Sequence, residues 1–190
     1  METILQQEKN SGLVKIVLYG PESTGKTTFA KALAAHYNTK WVPEYAREFL
    51  QEKFDRGEGE CQIQDLLPIA NGQIQSENDL AFEANKVLFC DTDLLVTMVY
   101  SEIYYGEVDP ILEKAALENN YSLYILTGTD VPWVADDLRD APDEREEMYE
   151  FFRGILMHYD LPFITVKGNE EERMKKVVPI IDAMVAMKSN

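Results

Sequence analysis

The octapeptide Gly20-Pro-Glu-Ser-Thr-Gly-Lys-Thr27 satisfies G-x-x-x-x-G-K-[ST] in full, and no other feature of the chain restricts its fold as much. The glycines let the backbone wrap closely enough for successive N–H groups to point inward at phosphate oxygens. Ahead of it stands a β-rich run, residues 14–19. Behind it, from 26 to about 37, Phe29, Ala32, Leu33 and Ala34 recur at helical spacing. A strand, a glycine loop and a helix in that order make a phosphate cradle, because the helix N-terminus adds its positive end to the inward-facing amides. Lys26 is placed to reach β- and γ-phosphates and Thr27 to offer its hydroxyl to Mg2+. Glu22, Ser23, Thr24, Gly25 and Thr28 complete the expected ATP-binding loop.

The rest of the chain repeats the alternation. Residues 40–43 predict a brief extended segment, 45–54 a helix, 55–60 a polar break, and 62–85 a long helix with Gly72 as its weak point. Val87-Leu-Phe-Cys90 is wholly apolar, the pattern of a strand buried on both faces, and runs into Asp91-Thr-Asp93. Helices follow over 94–105 and from Pro110, then a strand over 121–127. Met148, Phe151, Phe152, Ile155, Leu156 and Tyr159 mark one helical face, 162–166 a last strand, and Met174 to Val185 a closing helix. The expectation is an α/β P-loop NTPase fold: a five-stranded parallel sheet with helices on both faces, built like a nucleoside or nucleotide kinase with a lid.

At 190 residues this is one domain, 13–190, preceded by a flexible arm over 1–12. The arm lacks the basic and apolar regions of a secretory signal, and no apolar run approaches the roughly 18 residues of a membrane span. With Cys61 and Cys90 as the only cysteines, the chain fits a reducing cytoplasm. Acids outnumber bases 34 to 18, for a net charge of −16, which repels phosphate backbones and argues against nucleic-acid partners. A small anion can still be held locally by oriented amides and one lysine.

Asp91, at the end of its buried strand, is placed to hold magnesium beside Thr27; its other reading is a helix cap, a role Asp93 can take instead. No N-K-x-D string for guanine is present, and motors or AAA+ machines are normally larger, so a small-molecule kinase is expected. Pro43-Glu-Tyr-Ala-Arg-Glu48, after the second strand, suits the acceptor side. Trp133 to Asp140, with Arg145 beyond, suits an arginine-bearing lid after the fourth, or else a solvated loop.

These strings occur in order with Glu44-Tyr-Ala-Arg-Glu-Phe49, Asp91-Thr-Asp93, Tyr104 with Gly106, and Trp133-Val-x-x-x-Leu-Arg139. Together they resemble the ribosylnicotinamide kinase domain of the NadR family, from about Val14 to Val185. The resemblance implies ATP-dependent phosphorylation of the 5′-hydroxyl of nicotinamide riboside, giving nicotinamide mononucleotide for NAD synthesis. One departure is Pro43, where the family often has a Trp beside the nicotinamide ring; Trp41 would face the same side of a strand.

On this reading Lys26, magnesium, Arg139 and Arg145 neutralise the γ-phosphoryl group, and Asp93 or Glu44 orients the acceptor hydroxyl and takes its proton. Arg47 contacts substrate or pairs with Glu44 one turn away. Trp41, Tyr45, Tyr104 and Tyr105 are candidates to stack on a cationic nicotinamide ring. Asn169, in Lys167-Gly-Asn169, sits where related kinases hold the adenine edge. Two alternatives remain: a kinase of another nucleoside or small metabolite, and a nucleotide-dependent switch using residues 62–85 as a partner surface.

Overall fold

The computed structural model describes residues 5–8, 12–132 and 144–188. The run Val14–Tyr19 forms β1, buried along its whole length. β3 (Val87–Asp91) pairs with it in parallel, from Val14 opposite Val87 to Leu18 opposite Asp91. On its other side lies β4 (Leu123–Thr127), with Ile16 opposite Leu123. β2 (Trp41–Val42) adds outside β3 and β5 (Phe163–Val166) outside β4, so the five strands run parallel in the order β2-β3-β1-β4-β5.

Parallel neighbours need crossover connections, and helices supply them. These are α1 (Lys26–His36), α2 (Tyr45–Asp55), α3 (Leu66–Glu83), α4 (Leu94–Tyr105), α5 (Pro110–Glu118), α6 (Arg145–His158) and α7 (Glu170–Lys188). The period of two along β1 divides the core. Ile16 and Leu18 pack with Phe29, Leu33, Val177 and Ile181 of α1 and α7, while Val17 and Tyr19 pack with Ile74, Leu95, Val99 and Phe152 on the other face. The five-stranded parallel sheet covered on both sides is the architecture the alternation implies. Among the described residues, no helix is long and apolar enough to cross a membrane.

Several details differ from expectation. β2 keeps only two of the four residues 40–43, since Pro43 has no N–H to donate to a ladder. The span 62–85 opens with a 3₁₀ turn, Ile63–Asp65, before α3 begins. Phe151 is 39% exposed rather than part of the buried face of α6, which Met148, Phe152 and Leu156 form. The arm expected to be flexible is docked over residues 5–8: Leu5 is only 4% exposed, and Gln7 Nε2 donates to Glu77 Oε1 at 2.7 Å. Glu77 is fully buried, so it draws in every donor within reach, adding Lys15 Nζ at 2.9 Å and the Tyr121 hydroxyl at 2.7 Å. Trp133 to Asp140, the expected lid, lies outside the described residues.

α3 runs unbroken through Gly72, where a side chain has no room. The Tyr45 ring lies against it so closely that a Cβ there would stand 2.1 Å from Tyr45 Cε1. Overpacking costs about 1–3 kcal/mol, and so severe an overlap belongs at the upper end, whereas alanine's helix propensity recovers about 1 kcal/mol. Gly72→Ala is therefore expected to destabilise the protein by about 2 kcal/mol. Urea unfolding of the pair checks it; equal midpoints would mean that the Tyr45 ring swings aside without cost.

Candidate active site

The glycine loop turns from the end of β1 into α1 through Gly20 at φ 132° and Gly25 at φ 80°, with Ser23 also at positive φ. At Gly20 the turn also needs close approach, since a Cβ would lie 3.1 Å from the Thr127 carbonyl. Lys26 is 8% exposed and its Nζ donates to the Pro21 carbonyl at 2.7 Å, across the loop. Thr24 Oγ1 donates to the same carbonyl at 2.9 Å and lies 2.6 Å from Thr127 Oγ1 of β4.

Asp91 ends β3 directly beside this loop. Its Oδ2 accepts from the Thr27 hydroxyl at 2.5 Å, and its Oδ1 is buried with no hydrogen-bond partner among the described residues. Burial, reinforced by the Glu44 carboxylate, pushes the Asp91 carboxyl up to about 6, against Lys26 and the Thr27 hydrogen bond. A carboxylate with one oxygen on a hydroxyl and the other orphaned is a donor set that fits magnesium, which takes few protein oxygens and fills the rest with water and phosphate.

A cavity of about 630 Å3 joins the loop to the end of β2 and the start of α2. Glu22, Ser23, Thr24, Gly25, Lys26, Thr27, Thr28 and Asp91 form one wall; Trp41, Pro43, Glu44 and Arg47 stand in the other. Trp41 and Pro43 thus share one site, and Lys31 Nζ lies 5.1 Å from the centre of the Trp41 ring. Glu44 begins α2 as its N-cap residue yet makes no side-chain capping bond. Ala46, Leu50 and Gln51 also line the cavity. With Arg47 they fall at the three- and four-residue spacing of one face of α2, a signal readable in the sequence.

Other expected residues lie elsewhere. Asp93 is fully enclosed: it caps α4, accepting from the Val96 N–H at 3.2 Å and from the Tyr124 hydroxyl at 3.0 Å. Burial pushes its carboxyl up to about 7, against those two hydrogen bonds. Tyr45 packs its ring on Gly72, and its N–H donates to Gln73 Oε1 at 2.8 Å. Tyr104, 48% exposed, stacks on Tyr100, and the Tyr105 hydroxyl donates to the Cys61 carbonyl at 3.0 Å. None of these tyrosines lines the cavity. Asn169 caps α7 in a reciprocal pair with Glu172, at 2.9 and 3.0 Å. Arg145 Nη2 donates to the Ser23 and Val131 carbonyls, both at 3.0 Å, on the outside of the glycine loop. Arg139 lies outside the described residues. A residue the sequence reading missed is Arg173 of α7, 3% exposed, whose Nη1 donates to the Thr24 carbonyl at 2.8 Å.

The family described as AAA domain matches residues 15–173. The trifunctional NAD biosynthesis/regulator protein NadR of Escherichia coli is 30% identical over 173 residues, covering 90% of this chain; the chain spans 42% of that relative's length. A crystal structure of NadR protein in complex with NR is 24% identical, with a TM-score of 0.71 over 83% of this chain and 46% of that one. Deoxyadenosine kinase from M. mycoides, at 12% identity, superposes with a TM-score of 0.66 over 90% of this chain and 100% of its own. At these identities the two structures bear on the fold alone.

Proposed function

The chain belongs to the AAA domain family, and from that premise we propose that it is an ATP-dependent kinase converting nicotinamide riboside to its 5′-mononucleotide. The observation that carries the proposal is the single cavity in which Lys26, Thr27 and Asp91 face Glu44, Arg47 and Trp41. A triphosphate on the glycine loop and an acceptor hydroxyl near Glu44 would share that space. The NadR relatives, one of them solved in complex with NR, support nicotinamide riboside as the acceptor.

The 5′-oxygen attacks the γ-phosphorus, an O–P bond forms, and the bond to the ADP oxygen breaks. The acceptor proton passes to the Glu44 carboxylate, which the cavity exposes to substrate and no capping bond engages. Lys26 holds the β- and γ-phosphates, and Arg47 grips the acceptor. Magnesium, held by Asp91 and Thr27, would neutralise phosphate charge as the transfer proceeds. Arg139 and Arg145 belong to the proposed lid. Asp93 holds the start of α4 beneath the site, a supporting role rather than contact with substrate. Residues 13–190 act as one kinase domain, in the cytoplasm, on a small molecule.

Trp41 with Glu44 and Glu48 makes the acceptor side aromatic and acidic, which favours a ring carrying positive charge. Nicotinamide riboside is expected to be phosphorylated roughly tenfold faster than uridine, cytidine, adenosine or thymidine, a margin needing only ~1.4 kcal/mol. Chromatographic separation of products from that panel, with ATP and magnesium, is the test. A different winning nucleoside removes the substrate assignment. ATP hydrolysis indifferent to every acceptor removes the kinase.

A further inference from the structure

Two consecutive carbonyls of the glycine loop are held from behind by arginines of different helices. Arg145 of α6 binds the Ser23 carbonyl at 3.0 Å, and Arg173 of α7 binds the Thr24 carbonyl at 2.8 Å. All peptide bonds here are trans, so within each peptide the N–H points opposite the C=O. Anchoring these two carbonyls outward turns the N–H groups of Thr24 and Gly25 inward, into the space a phosphate would occupy. Positive φ at Ser23 and Gly25 gives the turn the concave form of an anion-binding nest.

Arg173 does more than hold one oxygen. Its Nε donates to the Gly168 carbonyl at 3.0 Å, and its Nη2 lies 3.7 Å from Asp130 Oδ1. Asp130 Oδ2 in turn accepts from the Gly168 N–H at 2.6 Å. One buried guanidinium thus ties the glycine loop to the loops following β4 and β5. Gly25 makes room for it, since a Cβ there would meet Arg173 Nη1 at 3.3 Å. A guanidinium is costly to bury, and here it is 3% exposed with neutral carbonyls as its hydrogen-bond acceptors. Its planar fork suits bonds to two carbonyls at once, which lysine cannot reproduce.

We propose that Arg173 is a positioning residue for phosphate binding: it fixes the amides of the glycine loop in their anion-binding orientation by holding the Thr24 carbonyl from behind. The proposal rests on the ATP-binding reading of the same loop and deepens it. It gives Arg173 no contact with the base or with the acceptor.

Calorimetric titration with Mg·ATP and with magnesium tripolyphosphate, which has no base, separates the possibilities. Arg173→Ala is expected to weaken both ligands by about tenfold or more and to the same extent, with the nicotinamide riboside KM within about threefold of wild type. Arg173→Lys, which keeps the charge but not the two-carbonyl fork, is expected to recover only part of the loss. Should the alanine variant not fold, the lysine variant alone decides, by weaker binding of both ligands in protein that circular dichroism shows folded at the assay temperature. Unchanged affinities in a folded variant overturn the proposal, as does a loss confined to ATP, which would mark a base contact. A lower melting temperature with wild-type affinities overturns it too, leaving a purely structural arginine. Wild-type protein that binds neither ligand removes the ATP-binding reading and this inference together; wild-type binding with indifferent variants removes the inference alone.

Discussion

Lys26→Ala is expected to lower kcat by about a thousandfold or more while leaving the fold intact, because phosphoryl transfer depends chiefly on charge stabilisation at fixed positions. The ammonium stands at the cavity wall, and it donates to the Pro21 carbonyl. That carbonyl keeps a second donor, Thr24 Oγ1, so the substitution leaves no buried acceptor unsatisfied. ADP release and far-UV circular dichroism on one preparation test the pair of claims. Turnover within a few-fold of wild type would remove the phosphate-site assignment, whatever the substrate.

Glu44 and Asp93 are both carboxylates at the edge of the sheet where open α/β folds bind ligands, and the structure separates their environments. Glu44→Gln is expected to lower kcat by about 100- to 10,000-fold, the usual contribution of a general base. Its melting temperature should not move, since the Glu44 side chain makes no capping bond. Asp93→Ala should do the reverse in kind. It removes the α4 cap and strands the buried Tyr124 hydroxyl, for a loss of roughly 3 kcal/mol in stability. Steady-state kinetics beside denaturant unfolding distinguish them. A kinetically normal Glu44→Gln enzyme would move the acceptor base elsewhere.

What could be read from the sequence was local. The glycine loop, its flanking strand and helix, and the apolar run into Asp91 each carry their meaning within about ten residues, because strand and helix periodicities are short-range signals. The meeting of Thr27 with Asp91 follows from β3 pairing beside β1, and the order of apolar and glycine-rich segments already implied such a sheet. Arg173 was illegible for the opposite reason. In sequence it is one charge in an acidic and basic helical turn, and only the fold brings it to Thr24 from 149 residues away. Gly72 read as a weak helix position because its partner, the Tyr45 ring, belongs to another helix. Tyr104 and Tyr105 looked suited to stacking on a ligand, yet residue type alone does not decide whether an aromatic faces a cavity or a neighbouring tyrosine. Leu5 was hidden in a polar arm, where a single apolar side chain makes no pattern.

The placement of β2 has a dynamic consequence. The phosphate wall of the cavity grows from β1, which is laddered on both sides, whereas the acceptor wall hangs from an edge strand of two residues paired only with Phe89 and Cys90. Local opening costs least where few ladder bonds must break, so the two walls differ in the free energy needed to release them. Beyond that ladder the segment from Trp41 through α2 is moored by the buried Val42 side chain, the Tyr45 ring against Gly72, the Tyr45 N–H on Gln73 Oε1 at 2.8 Å and the Lys53–Asp65 ion pair at 2.5 Å. An acceptor held by that wall would be admitted and released by the sheet's margin, and the triphosphate would be gripped by its centre.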